Sequence, residues 1–185
     1  MPSFPDATLT TSTGLTLSSL MASDASALMS AFSDAELRRW LPLPSPYTMD
    51  LAESWCTSTS RELLESGRGF VLGVRDRDAL VASIDAKRVD WRARTLELSY
   101  WTAASHRGHG VMSTAVRRVA DWVIGELGFE RIELRIATEN VGSLRTAARA
   151  GFVREGVARN AGFTDAGRVD LAVFSLIRSD RPSSG

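Results

Sequence analysis

RTLELSYWTAASHRGHGVMSTA, residues Arg94–Ala115, sets the plan of the chain. Thr95–Trp101 is rich in β-branched, apolar and aromatic residues and reads as a strand. Arg107-Gly108-His109-Gly110 reads as a tight turn, and a helix begins near Val111. Met112, Ala115, Val116, Val119, Val123 and Leu127 then recur at helical spacing until Gly128 stops the pattern. A helix start presents unpaired N–H groups and the positive end of the helix dipole, so it is a seat for an anion. Glycines before it let the backbone approach that anion closely. The segment therefore reads as a pyrophosphate site, with the preceding strand beside the reactive end of the same ligand.

Outward from this stretch, strand and helix signals alternate. Upstream, Leu9–Leu17 reads as an edge strand. Ser23-Asp24 caps a helix through Phe32, and Asp34–Trp40 adds a further turn. Pro42, Pro44 and Pro46 then hold residues 41–48 in a non-helical loop. A second helix runs from Thr48 or Asp50 to Gly67. Phe70–Val74, Leu80–Ile84 and the opening strand form an antiparallel meander. Downstream come a half-buried strand Arg131–Ala137, a short helix Asn140–Ala150, and strands Phe152–Val157 and Arg168–Ile177 around a loop Asn160–Gly167. Antiparallel strands followed by a β-α-β crossover predict an α+β fold with a mixed sheet and helices on its faces. No linker divides the chain, so one domain is expected over residues 8–178, with flexible segments 1–7 and 179–185.

Bulk properties narrow the function. A hydrophobic content of 44% and a charged content of 24% fit a globular domain. The formal net charge of zero argues against a nucleic-acid binder that relies on a broad basic surface. Cys56 is the single cysteine, which excludes an intrachain disulfide, and it reads as a packed thiol. No apolar run reaches membrane-span length, and the N-terminus lacks a basic segment followed by an apolar one, so the expectation is cytoplasmic. His106 and His109 have no cysteine or carboxylate in the turn to complete a metal site, and no metal is expected. Nor do they fit a Ser-His-Asp hydrolase, because no Gly-x-Ser-x-Gly elbow is present. The glycine turn is neither a Walker loop, since no Gly-Lys-Ser/Thr follows, nor a dinucleotide fingerprint, since the third glycine is missing.

The spacing of these motifs resembles the GNAT superfamily of N-acetyltransferases. Its acyl-CoA signature, Arg/Gln-x-x-Gly-x-Gly/Ala, matches Arg107, Gly110 and Met112, with Met in place of Gly/Ala. Tyr100-Trp101, Glu139-Asn140-Val141-Gly142-Ser143 and Gly151-Phe152-Val153-Arg154-Glu155-Gly156 are similar to motifs of the branch that acetylates ribosomal-protein N-termini (RimJ/RimL-like). Trp40-Leu41-Pro42 and Pro46-Tyr47-Thr48 also fit that branch. The resemblance covers roughly residues 9–178 and implies a mostly antiparallel sheet of six to seven strands. It further implies about four helices and a central strand pair splayed apart.

The same resemblance implies acetyl-CoA as donor and transfer to a primary amine in a ternary complex. The acceptor is a protein N-terminus or a small amine such as a polyamine or antibiotic. A larger acyl donor such as succinyl-CoA, and a non-catalytic acyl-CoA-binding module, are the alternatives. A homodimer is common in the family. Backbone N–H groups of Gly108, His109, Gly110, Val111, Met112 and Ser113, together with Arg107, would hold the pyrophosphate. Trp101, Thr102 and Asn140 would flank the pantetheine arm, and Asn140 also reads as a helix cap. Glu97 is the candidate base, acting through water, or else a strand carboxylate facing solvent or paired with an arginine, and Asp85 on the neighbouring strand is the second candidate. Ser143 matches the branch's proton-donor position or is a first-turn hydroxyl bonded to backbone. Trp40, Pro42, Tyr47 and Tyr100 are candidate acceptor contacts, although Tyr100 alternates to the opposite face from Glu97 and Trp101. For Trp55, packing is the preferred reading.

Overall fold

The alternation of β5 (Thr95–Thr102) organises two packed layers. A computed structural model describes residues 2–180. On one face of β5 lie Leu96, Leu98 and Tyr100; on the other lie Glu97, Ser99 and Trp101. Around it an eight-stranded sheet runs in the order β1-β2-β3-β4-β5-β6-β8-β7. The remaining strands are β1 (Leu9–Thr10), β2 (Thr16–Ser19), β3 (Phe70–Asp76), β4 (Ala79–Asp90), β6 (Arg131–Ala137), β7 (Val153–Thr164) and β8 (Gly167–Ile177). Among the described residues only the β5–β6 pair is parallel, because α5 (Val111–Gly125) carries the chain between them as a crossover.

The apolar stripe of α5 packs on the Leu96 face. Val116, Val119 and Val123 meet Leu72, Ile84, Leu98, Ile132 and Leu134 there, and Ala147 of α6 (Val141–Arg149) joins them. The opposite face is divided. Over β3 and the end of β5 it is covered by α1 (Ala25–Phe32), α2 (Ala35–Trp40), α3 (Met49–Ser54) and α4 (Ser60–Glu65). Leu28, Phe32 and Leu37 pack there with Val71 and Trp101. Cys56 lies in the π-helical turn Trp55–Thr59 between α3 and α4, where burial pushes its thiol up to about 11, so it is a packed thiol. A buried bidentate ion pair ties this cover to the sheet: Arg75 of β3 donates to both carboxylate oxygens of Asp24, at 2.7 and 3.2 Å.

Three local expectations change. Leu9–Leu17 is not one strand but two, folded at a turn in which Gly14 takes φ +87°. The expected loop Asn160–Gly167 is mostly strand: β7 continues to Thr164, and its irregular pairing with β8 between Ala158 and Gly162 absorbs extra residues. Residues 1–7 were expected to be flexible, yet Phe4 is only 4% exposed. Its ring lies 5.1 Å from Phe70, 4.8 Å from Trp91 and 5.9 Å from Phe129. Burying a side chain of that size is worth about 1.5–3 kcal/mol, and the Phe4 N–H also donates to the Leu64 carbonyl at 3.3 Å, so the segment is anchored at Phe4. At the other end Arg178–Asp180 forms a 3-10 turn, while residues 181–185 of the expected flexible tail lie outside the described residues. Among the described residues no helix is long and apolar enough to cross a membrane.

Candidate active site

A cleft of about 1030 Å³ opens where β5 and β6 part. Their ladder starts at Thr95–Arg131 and ends at Leu98–Leu134. Beyond that pair, Ser99–Thr102 stays bonded to β4 and Arg135–Ala137 to β8, but neither is paired across the gap. Two strand edges therefore face each other with free backbone donors and acceptors, a slot into which an amide-bearing chain can add.

At one end of the slot lies the glycine turn. Gly108 and Gly110 both adopt φ +80°, a conformation that L side chains resist. A Cβ on Gly108 would meet nothing within 4 Å, and one on Gly110 only Ser113 Oγ at 3.9 Å, so the space above the turn is open. The first backbone bond of α5 is from Thr114 N–H to the Gly110 carbonyl at 3.1 Å. The N–H groups of Val111, Met112 and Ser113 precede it, and the cap residue, Gly110, has no side chain to satisfy them. Met112 turns its side chain into the core at 5% exposure and gives the turn only its backbone. This explains how methionine replaces a small residue in the motif. His106 lines the cleft, whereas His109 is exposed and outside the lining.

Arg107 lines the cleft but its guanidinium is already engaged. Nε donates to the Thr102 carbonyl at 3.1 Å, and Nη2 pairs with the Asp34 carboxylate. Burial raises the Asp34 pKa, but the hydrogen bonds from Arg107 and the Glu36 amide outweigh it and hold this carboxyl below its usual range. Asp34 also caps α2 by accepting from Glu36 N–H at 3.2 Å. The pair thus fastens the start of the α2 wall to the anion turn.

The other wall is the start of α6. Asn140 caps it, its Oδ1 accepting from Ser143 N–H at 3.0 Å. Tyr100 donates its hydroxyl to the Ser143 carbonyl at 3.1 Å, and burial raises its pKa above the ordinary value. Tyr100 therefore stands on the α5–α6 side of the sheet, opposite Trp101, as its alternation implies. Ser143 is half-buried in the lining, beside the Tyr100 hydroxyl. Trp101 is buried at 7% exposure against Phe32, ring centroids 5.5 Å apart; Phe32 in turn meets Tyr47 at 4.9 Å. Burial pushes the Tyr47 hydroxyl up to about 12. Trp40, Pro42, Tyr47 and Trp55 all line the cleft, so Trp55 combines packing with exposure to it.

The two candidate carboxylates separate. Asp85 of β4 lines the cleft and accepts from Ser99 Oγ at 2.5 Å. Burial raises its pKa, which makes it a better proton acceptor than an ordinary carboxylate. Glu97, the first candidate from sequence, is outside the lining. It is 6% exposed and lies 3.4 Å from Lys87 Nζ and 3.2 Å from Arg88 Nη1. Register explains the difference: Glu97 pairs with Lys87 where β5 and β6 are still joined, whereas Asp85 pairs with Ser99 at the first residue of the gap. The ion-paired reading of Glu97 is the one the geometry supports. Asp34, Ser99 and Arg135 were not singled out from sequence. The alternation of Arg131, Glu133 and Arg135 against Ile132, Leu134 and Ile136 was the available signal for Arg135. Among the described residues, no group of three or more His, Cys, Asp or Glu is placed to hold a metal ion.

A splayed parallel pair, a glycine-capped helix at one end of the gap and a buried carboxylate at the other define an acyltransferase-type cleft. The chain belongs to the acetyltransferase (GNAT) domain family, whose model matches residues 14–153. It is 27% identical over 157 residues to the uncharacterized N-acetyltransferase YoaA of Bacillus subtilis (strain 168), covering 84% of this chain and 88% of that protein. It is also 27% identical over 115 residues to the ribosomal-protein-serine acetyltransferase of Escherichia coli (strain K12), covering 62% and 64% of the two chains. Its fold matches Mycobacterium smegmatis RimJ, solved in complex with CoA-disulfide, with a TM-score of 0.85 and 21% identity over 97% of this chain and 90% of that one.

Proposed function

We propose that this acetyltransferase takes its acyl group from acetyl-CoA and passes it directly to a protein N-terminal amine. The observation that carries the donor half is the pairing of unsatisfied helix N–H groups at Val111–Ser113 with the free strand edges of the β5–β6 gap. A pyrophosphate suits the first and an amide-bearing pantetheine arm the second. Relatives named as ribosomal-protein acetyltransferases support a peptide amine as acceptor.

Bound there, acetyl-CoA supplies an activated acyl group. The chain's residues do the rest. Backbone N–H groups of the gap edges are donors for a polarised carbonyl. Asp85, helped by the Ser99 hydroxyl, accepts the proton of the incoming ammonium, directly or through water. Ser143, beside the Tyr100 hydroxyl at the opposite wall, is the proton donor to a departing thiolate. Trp40, Pro42 and Tyr47 form the apolar entrance for the acceptor. The reading is tested by thiol release from acetyl-CoA with a peptide bearing a free N-terminus, against the same peptide with that amine blocked. Release only with the free amine, and one acetyl group gained at the N-terminus by mass spectrometry, is expected. A non-catalytic acyl-CoA-binding module would show tight binding without release.

A further inference from the structure

One sheet face beside the cleft carries several charged side chains, and two of its buried polar atoms lack a hydrogen bond: Glu97 Oε2, whose carboxylate still has ion-pair partners, and Arg135 Nε. Lys87 and Arg88 flank Glu97. Arg131 bonds Glu133 at 2.8 Å and Glu155 at 2.6 Å, and Glu155 also accepts from Ser175 at 2.8 Å. On the cleft walls Arg107 holds Asp34, and Arg39 lies 3.4 Å from Glu139. Asp85 takes the Ser99 hydroxyl. Arg135 has no such partner. Its Nε is buried without a hydrogen bond, and no carboxylate among the described residues pairs with its guanidinium. A buried guanidinium N–H left unsatisfied is costly, so a native structure with one invites a ligand that completes it.

Register says where that ligand would sit. Arg135 is on β6 one residue past the last β5–β6 pair, Leu98–Leu134, as Ser99 is on β5. In a parallel pair these two share a face, and Asp85 is directly opposite Ser99 on β4. Asp85, Ser99 and Arg135 thus form one row across the mouth of the gap, and both Asp85 and Arg135 line the cleft. An amine whose proton goes to Asp85 brings its neighbouring groups next to Arg135.

We propose that Arg135 is a specificity-determining residue that receives a carboxylate of the acceptor, so that the preferred acceptor is an N-terminus followed directly by an acidic side chain. This rests on the acceptor reading above, and names its substrate class. A planar guanidinium takes a carboxylate by two parallel N–H bonds, a geometry that an amide of the same shape does not match.

The test uses binding as well as turnover. N-acetylated Ser-Glu and Ser-Gln peptides, otherwise identical, are titrated calorimetrically into the protein in the presence of coenzyme A. Wild type should bind the Glu peptide at least about tenfold more tightly, the size expected of a charge-assisted bond. Arg135→Gln should erase that ratio while keeping the melting shift produced by acetyl-CoA, and Arg135→Lys should restore part of it. Equal binding of the two peptides by wild type, absence of binding by either, or an unchanged ratio in Arg135→Gln overturns the proposal. Thiol release with the unblocked peptides separates the two readings. An acid preference in binding with no release removes the transfer reading and leaves the anion site; release without an acid preference does the reverse. Free glutamate and glutamine form a second arm: an acid preference there, with none among peptides, overturns the peptide acceptor in favour of a small carboxylated amine.

Discussion

The two ends of the cleft are built from different materials. The donor end is backbone: glycines at positive φ, the open N–H groups of α5 and two unpaired strand edges. The acceptor end is side chains drawn from α2, the proline loop, β4 and β6, assembled through Arg107–Asp34, Arg75–Asp24 and aromatic contacts. A backbone site tolerates change in most side chains and fails when its geometry is filled. A side-chain site can be retuned one residue at a time. This contrast teaches where affinity and where selectivity reside in the molecule.

Substitutions sharpen the contrast, beginning with the largest effect. Gly110→Asp places a branched, anionic residue at φ +80° over the open N–H groups. Acetyl-CoA should then cause no rise in melting temperature even at saturation, while the far-UV circular dichroism stays native. A retained shift would show that the anion sits elsewhere. Asp85→Asn should lower turnover by about 10²–10⁴-fold with acetyl-CoA affinity unchanged. Glu97→Gln, off the cleft, should leave turnover within a few-fold. The reverse ranking would restore Glu97 as the base.

Protonation gives Asp85 a second signature. Burial raises its pKa in the folded chain, so the fold prefers its protonated form. The stability linked to this group is complete below its ordinary value of 3.8 and is lost as pH rises through the raised folded value. Activity moves oppositely, rising with pH as Asp85 deprotonates. Asp85→Asn should therefore melt at or above wild type at neutral pH, converge with it below pH 3.8, and lack the acid limb of the rate profile. A limb unchanged in the variant would assign it to another group.

The next effect is on stability. Asp24→Ala leaves Arg75 buried and unpaired, and urea unfolding should show a loss of about 3–5 kcal/mol, because a stranded buried charge is expensive. A loss under ~1 kcal/mol would mean that the helical cover is held by its apolar contacts alone. Smallest of all is Asp34→Ala. It frees Arg107 and loosens the α2 wall, so KM for the acceptor should rise a few-fold more than KM for acetyl-CoA. An equal rise in both would make Arg107–Asp34 a feature of the donor end.

The same contrast explains what the sequence disclosed. Gly108, Gly110 and the helix after them can be read locally, because a turn and a helix start are encoded within a few residues. Asn140 and Ser143 belong to a similarly local cap. The choice between Asp85 and Glu97 was not local: both alternate onto the same face, and only the point at which β5 leaves β6 separates them. Phe4 was unreadable for a related reason, since its ordering comes from Phe70, Trp91 and Phe129, all distant in the chain. The β7–β8 arm was shortened in the sequence reading because Asn160 and Gly162 look like loop residues, and a bulge accommodates them within a strand.

Hydrogen–deuterium exchange with and without acetyl-CoA tests the backbone-held donor end most directly. Protection on binding should appear at the amides of Gly108–Ser113 and along the gap edges at Ser99–Thr102 and Arg135–Ala137, with much smaller change in α1–α3. Protection confined to α1–α3, with the glycine turn exchanging as before, would contradict the account.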